Sequence, residues 1–93
     1  MRERYLEQKL IKAVRRSGGM ALKLVSPGLN GVPDRMLLFN GGKAAFVEVK
    51  AQGQKPRPLQ IRRIEQLRRL GFSVFVINED EQIGGMIDEI CSA

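Results

Sequence analysis

Three ionisable residues interrupt otherwise apolar runs: Asp34 opens the run Met36 to Phe39, and Glu48 and Lys50 close the run Ala44 to Val49. Asn40-Gly41-Gly42 between the runs is a hairpin signal. Hairpin pairing sets the start of the first strand beside the end of the second, so two carboxylates and an ammonium converge at one edge. Strand residues two apart share a face, which points Glu48 and Lys50 the same way. The second run is nearly continuous in hydrophobicity, as in a strand covered on both faces, and a carboxylate buried there needs a partner. Two hard oxygen donors of this kind suit Mg²⁺ or Mn²⁺ held together with water and phosphate oxygens. The lysine adds a donor for an attacking water or for charge developing on phosphorus. Taken singly, the same residues also read as a Glu-Lys pair beside a turn aspartate, and spacing alone leaves that alternative open.

Counting sharpens the convergence. Asp34 and Glu48 lie directly opposed on one face only if paired residue numbers sum to 82, which requires a three-residue loop, Asn40 to Gly42. A two-residue Gly41-Gly42 turn would set Asp34 against Val49, on the wrong face. The expectation is therefore the three-residue loop, or a bulge near Asp34.

Pro33-Asp34, thirteen residues, then Glu48-Val49-Lys50 resembles the PD-(D/E)xK nuclease motif. The wider wording, Gly31-Val32-Pro33-Asp34, Phe46-Val47-Glu48-Val49-Lys50 and Pro58-Leu59-Gln60, is similar to the VRR-NUC (virus-type replication-repair nuclease) branch, in its standalone phage or bacterial form. The likeness runs from the first helix to about Ile77. It implies a metal-dependent endonuclease in which Asp34 and Glu48 hold Mg²⁺ with the Val49 carbonyl, while Lys50 orients or activates the nucleophilic water. It further implies that Glu7, on the first helix, faces the metal, and that Gln60 acts near Lys50 or the bound water. Standalone relatives look like dimeric Holliday-junction resolvases, which implies a homodimer acting on branched DNA in repair.

Composition bounds the alternatives. Ninety-three residues, 43% hydrophobic and 28% charged, make one folded domain spanning 1–93 with a modest core. No apolar run approaches the roughly 18 residues of a membrane span, and the N-terminus is charged and amphipathic rather than signal-like, so the expected location is the cytoplasm. The single cysteine, Cys91, fits a reducing compartment. The absence of histidine excludes histidine-base nucleases, His-ligated zinc and Ser-His-Asp hydrolases. No Gly-rich phosphate loop between strand and helix suggests a small-molecule cofactor.

The net charge of +6 is segregated: all sixteen Lys and Arg lie at or before Arg69, giving +11 through residue 78, whereas the last fifteen residues hold five acids and no base. A polyanion should meet the body of the domain and not its tail. The rival to a nuclease is thus a non-catalytic basic module that binds nucleic acid, although four Phe, one Tyr and no Trp offer few stacking aromatics.

Periodicity supplies the supporting elements. Residues 2 to 17 read as an amphipathic helix with Leu6, Leu10, Ala13 and Val14 inward, stopped by Gly18-Gly19. Glu7 lies at the margin of that stripe, where the helix dipole alone could account for it. Met20 to Val25 reads as a strand, followed by a turn-rich loop. Beyond Lys50 a polar basic loop, with Lys55 and Arg57, leads into a helix from Leu59 to Leu70. Its stripe is Leu59, Ile64, Leu67 and Leu70, leaving Arg62 and Arg63 to grip DNA phosphates with the loop. Gln60 starts on the inner face, where it could simply satisfy backbone groups. Phe72 to Ile77 reads as a strand and Glu81 to Ser92 as a helix weakened by Gly84-Gly85. The order gives an α/β fold: a mixed four-stranded sheet flanked by helices, an αβββαβ restriction-endonuclease-like core plus a C-terminal helix. Apolar surface around that last helix, with its acidic segment, is the expected dimer contact.

Overall fold

The computed structural model describes residues 2–93. Helix α1 (Glu3–Arg16) precedes strands β1 (Met20–Lys23), β2 (Arg35–Phe39) and β3 (Lys43–Val49); helix α2 (Pro58–Arg69), strand β4 (Val74–Ile77) and helix α3 (Glu81–Ser92) follow. The strands form one mixed sheet in the order β1-β2-β3-β4, with only β3 and β4 parallel and α2 as their crossover. The elements match the sequence reading to within two residues, the largest differences being that β1 ends at Lys23 rather than Val25 and β4 starts at Val74 rather than Phe72.

The central hairpin carries the fold's main consequence. Arg35 pairs with Val47, Leu37 with Ala45 and Phe39 with Lys43, each pair summing to 82. The loop is the three-residue Asn40–Gly42, where Gly41 and Gly42 take φ of +81° and +72°, values an L side chain rarely adopts. Asp34 and Glu48 therefore fall on one face.

The two faces of the sheet are unequal. Odd-numbered residues of the hairpin, Leu37, Phe39, Ala45, Val47 and Val49, join Leu6, Leu10 and Val14 of α1 and Ile83, Met86, Ile87 and Ile90 of α3 in one buried cluster. The even face meets α2 alone, and of α2 only Ile64 is buried. A helix about 10 Å across covers roughly two strands spaced 4.8 Å apart, so two helices cover four strands and one helix leaves half the face bare. Leu59 and Leu70, expected inward, are 40% and 74% exposed, and Met20, Leu22 and Phe72 also lie open on this side.

This corrects the expected dimer surface. The apolar side of α3 is already covered by its own core, despite the two helical glycines, and is not available to a second copy. No helix among the described residues is long and apolar enough to cross a membrane.

Candidate active site

Asp34 and Glu48 clamp each other across the open end of the hairpin. The Asp34 N–H donates to Glu48 Oε1 at 3.1 Å, and the Val49 N–H donates to Asp34 Oδ2 at 2.9 Å. The Asp34 carbonyl accepts from the Leu24 N–H at 2.9 Å, so its backbone is held from both sides. Glu48 Oε2 accepts from Gln60 Nε2 at 2.6 Å and lies 3.1 Å from Lys50 Nζ. Four of the residues singled out in the sequence thus meet at one corner, with Glu48 only 2% exposed at its centre.

Burial is the larger cause that raises the Glu48 carboxyl above its ordinary range, and the Asp34 charge adds to it. The hydrogen bond and charge of Lys50 pull it back, by less. Two carboxylates against one ammonium leave the corner with excess negative charge, which a cation would relieve.

The donor set fits a divalent ion. Lys50 N–H bonds the Ile77 carbonyl at 2.9 Å, so the backbone of Lys50 faces β4 and that of Val49 faces β2. The hairpin register continued by two pairs beyond Arg35 and Val47 sets Val49 opposite Pro33, whose ring nitrogen carries no hydrogen. The Val49 carbonyl consequently gains no ladder donor from that strand. Carboxylate oxygens of Asp34 and Glu48 with this carbonyl are hard ligands of the kind Mg²⁺ takes alongside retained waters.

Glu7 does not join them. Among the described residues no three acidic, His or Cys side chains cluster closely enough to hold a metal. Arg35 follows Asp34 in an extended chain and points to the other face of the sheet, where its Nη2 meets Glu7 Oε1 at 3.1 Å and its Nη1 donates to the Ala21 carbonyl at 3.3 Å. In this structure the Glu7 carboxylate instead neutralises a mostly buried guanidinium, one whose Nε has no partner among the described residues. Sequence reasoning missed Arg35, although alternation requires it to point inward and Glu7 is the acid at the margin of the helix stripe that it meets.

Gln60 reconciles its two readings. Its Oε1 accepts the Arg57 N–H at 2.9 Å, capping α2, while its Nε2 holds Glu48. Lys55, Arg57 and Arg62 are exposed on the loop and on α2. Arg63 differs: its Nε donates to the Asn30 carbonyl at 2.7 Å and its Nη1 to Gln66 at 3.0 Å, which fastens the loop before Asp34 to α2. Gly31 makes that crossing possible, since a Cβ there would lie 2.8 Å from Leu59 Cγ at a φ of +83°. Arg63 is thus a loop anchor before it is a phosphate contact. A hollow of about 490 Å³ lies beside this crossing among Leu29, Val32, Arg63, Leu67 and Leu70, and no carboxylate lines it.

A mixed sheet whose central hairpin presents two opposed carboxylates and a lysine at one end defines the PD-(D/E)xK class of nuclease core. Within that class the chain matches the VRR-NUC domain family over residues 2–80, and it belongs to that family. It is 46% identical over 81 residues to the protein named "Putative nuclease p44" of Acyrthosiphon pisum secondary endosymbiont phage 1, a match covering 87% of each chain. A solved structure of a VRR-NUC domain superposes with a TM-score of 0.87 at 32% identity, covering 92% of this chain and 94% of the other.

Proposed function

We propose that this nuclease is a Mg²⁺- or Mn²⁺-dependent endonuclease that hydrolyses phosphodiester bonds of branched DNA such as Holliday junctions, working as a homodimer. The observation that carries it is the reciprocal clamp between Asp34 and Glu48, with Lys50 and Gln60 closing on the same carboxylate. A structural ion pair would need one acid for one base; a second acid opposed to the first adds repulsion that a bound divalent cation would relieve.

Asp34, Glu48 and the Val49 carbonyl would hold the ion, which when bound supplies Lewis-acid activation of the phosphodiester. Lys50 Nζ, fixed against Glu48, orients the attacking water and offsets charge developing on phosphorus. Gln60 keeps the Glu48 carboxylate turned toward that point. Lys55, Arg57 and Arg62 hold the phosphate backbone without reading bases, which favours recognition by DNA shape. The half-open even face, with Met20, Leu22, Leu70 and Phe72 exposed, offers the apolar surface that a two-fold partner would cover.

Incubating the protein with four-way, flapped and linear DNA, with Mg²⁺, Mn²⁺ or chelator, tests the whole reading. Metal-dependent cuts placed symmetrically in the junction are expected. Tight binding without cutting under every metal condition would instead establish the basic binding module.

A further inference from the structure

The outer face of α1 carries a concentration of positive charge that the catalytic corner does not use. Arg4, Gln8, Lys12 and Arg15 follow one another at spacings of four, four and three residues, with Arg16 beside them, and all are exposed. Of the two acids of α1, Glu7 lies in line with Leu10 and Val14 and meets Arg35, whereas Glu3 is exposed in the first turn. Lys9 and Tyr5 flank the stripe: Lys9 lies 4.0 Å from Asp80 of the acidic segment and 5.3 Å over the Tyr5 ring. A shallow hollow of about 180 Å³ opens between Tyr5, Gln8, Lys12 and Arg16.

We propose that this face of α1 is a second nucleic-acid-binding surface, taking the phosphate backbone of a duplex other than the one being cut. The sheet separates the two surfaces. Leu6, Leu10 and Val14 seat α1 on the odd face, whereas Asp34, Glu48, Gln60 and Arg62 belong to the even side. A straight duplex lying along α2 cannot reach a helix packed on the other side of the sheet, so the two surfaces hold two duplex segments. A lipid surface does not suit α1, because Leu6, Leu10 and Val14 are buried in the core and the exposed face carries mostly charged and polar side chains. The proposal rests on the nuclease reading for its substrate, since it makes α1 the feature that favours branched over linear DNA.

The test is fluorescence anisotropy in chelator, comparing a four-way junction with a short linear duplex. The variant Lys12→Gln/Arg15→Gln/Arg16→Gln should lose junction affinity on the order of a hundredfold at 0.1 M salt, and its log-log salt slope should be shallower by about 2.7, some 0.9 for each phosphate released. Affinity for the linear duplex should change by no more than about twofold, the statistical loss of one of two places to bind. A second variant that adds Glu81→Gln, Asp88→Asn and Glu89→Gln restores the net charge to +6. Rescue of junction binding by it would overturn the proposal, because bulk charge would then explain the loss. Equal losses for junction and linear DNA, or no loss at all, would overturn it too, the last leaving an acidic protein as the occupant of the face. Metal-dependent cutting of the linear duplex by the triple variant should match the unaltered protein. If the unaltered protein cuts nothing, the nuclease reading fails and the binding comparison still decides the role of α1.

Discussion

Gln60 separates a capping role from a role in tuning the carboxylate, and two substitutions can pull these apart. Gln60→Ala removes the bond to the Arg57 N–H at the exposed start of α2 and the 2.6 Å bond to buried Glu48. The first contributes about 0.5 kcal/mol and the second, to an ionised acceptor, about 1.5 kcal/mol. Together they predict a fall in Tm of about 10 °C. The second loss also disfavours the ionised form of Glu48, whose carboxyl burial already raises above its ordinary range. For an acid with a raised folded pKa, the folded state binds more protons than the unfolded chain between the two values, so stability falls as pH rises through that window. The destabilisation by Gln60→Ala should therefore be greater at pH 8 than at pH 5. Because the ion binds the deprotonated carboxylate, the pH at which Mg²⁺ stops raising Tm should move up. Gln60→Glu keeps an acceptor for the Arg57 N–H but sets a second carboxyl against Glu48, so it should leave the helix cap intact and move the midpoint further. Differential scanning fluorimetry across pH, with and without Mg²⁺, measures both effects. If both variants lower Tm and neither moves the midpoint, Gln60 is only a cap and the coupling argued here is wrong.

Four further outcomes are expected. Asp34→Asn, Glu48→Gln and Lys50→Ala should each lower metal-dependent cleavage by a factor of about 10² or more while leaving DNA affinity in chelator nearly unchanged, and comparable residual cutting by any of them would remove that residue from the mechanism. Gly31→Ala, with its Cβ forced against Leu59 at positive φ, should cost about 2 kcal/mol in urea unfolding; a neutral result would show that the loop does not depend on that close crossing. Arg62→Gln should weaken binding to all DNA sequences alike and make the salt slope shallower by about 0.9, and a change confined to one sequence would contradict backbone-only contact. Leu70→Glu, at a 74% exposed position on the bare face, should convert a species of twice the chain mass in light scattering into a monomer that nicks one strand of a junction; an unchanged dimer would move the interface elsewhere.

What the sequence determined by itself were the local and countable features. Period-two alternation limits the hairpin to registers that keep Asp34 and Glu48 on one face, and the three-residue Asn40–Gly42 loop sets them directly opposite. The apolar periodicities of α1, α3 and the strands, and the charge segregated ahead of Arg69, are likewise properties of the chain alone. Tertiary structure decided which groups meet across elements. Glu7 could be placed at the edge of a helical stripe, but its partner depended on how α1 lies over β2, and there Arg35 claims it. The inward stripe of α2 promised four buried residues and delivered only Ile64, since the number of strands a single helix can cover is a matter of width and not of periodicity. Gln60 could be assigned to a helix start or to the site from sequence, and only the packing of α2 against the end of β3 let one side chain serve both, its two amide atoms turned to opposite sides.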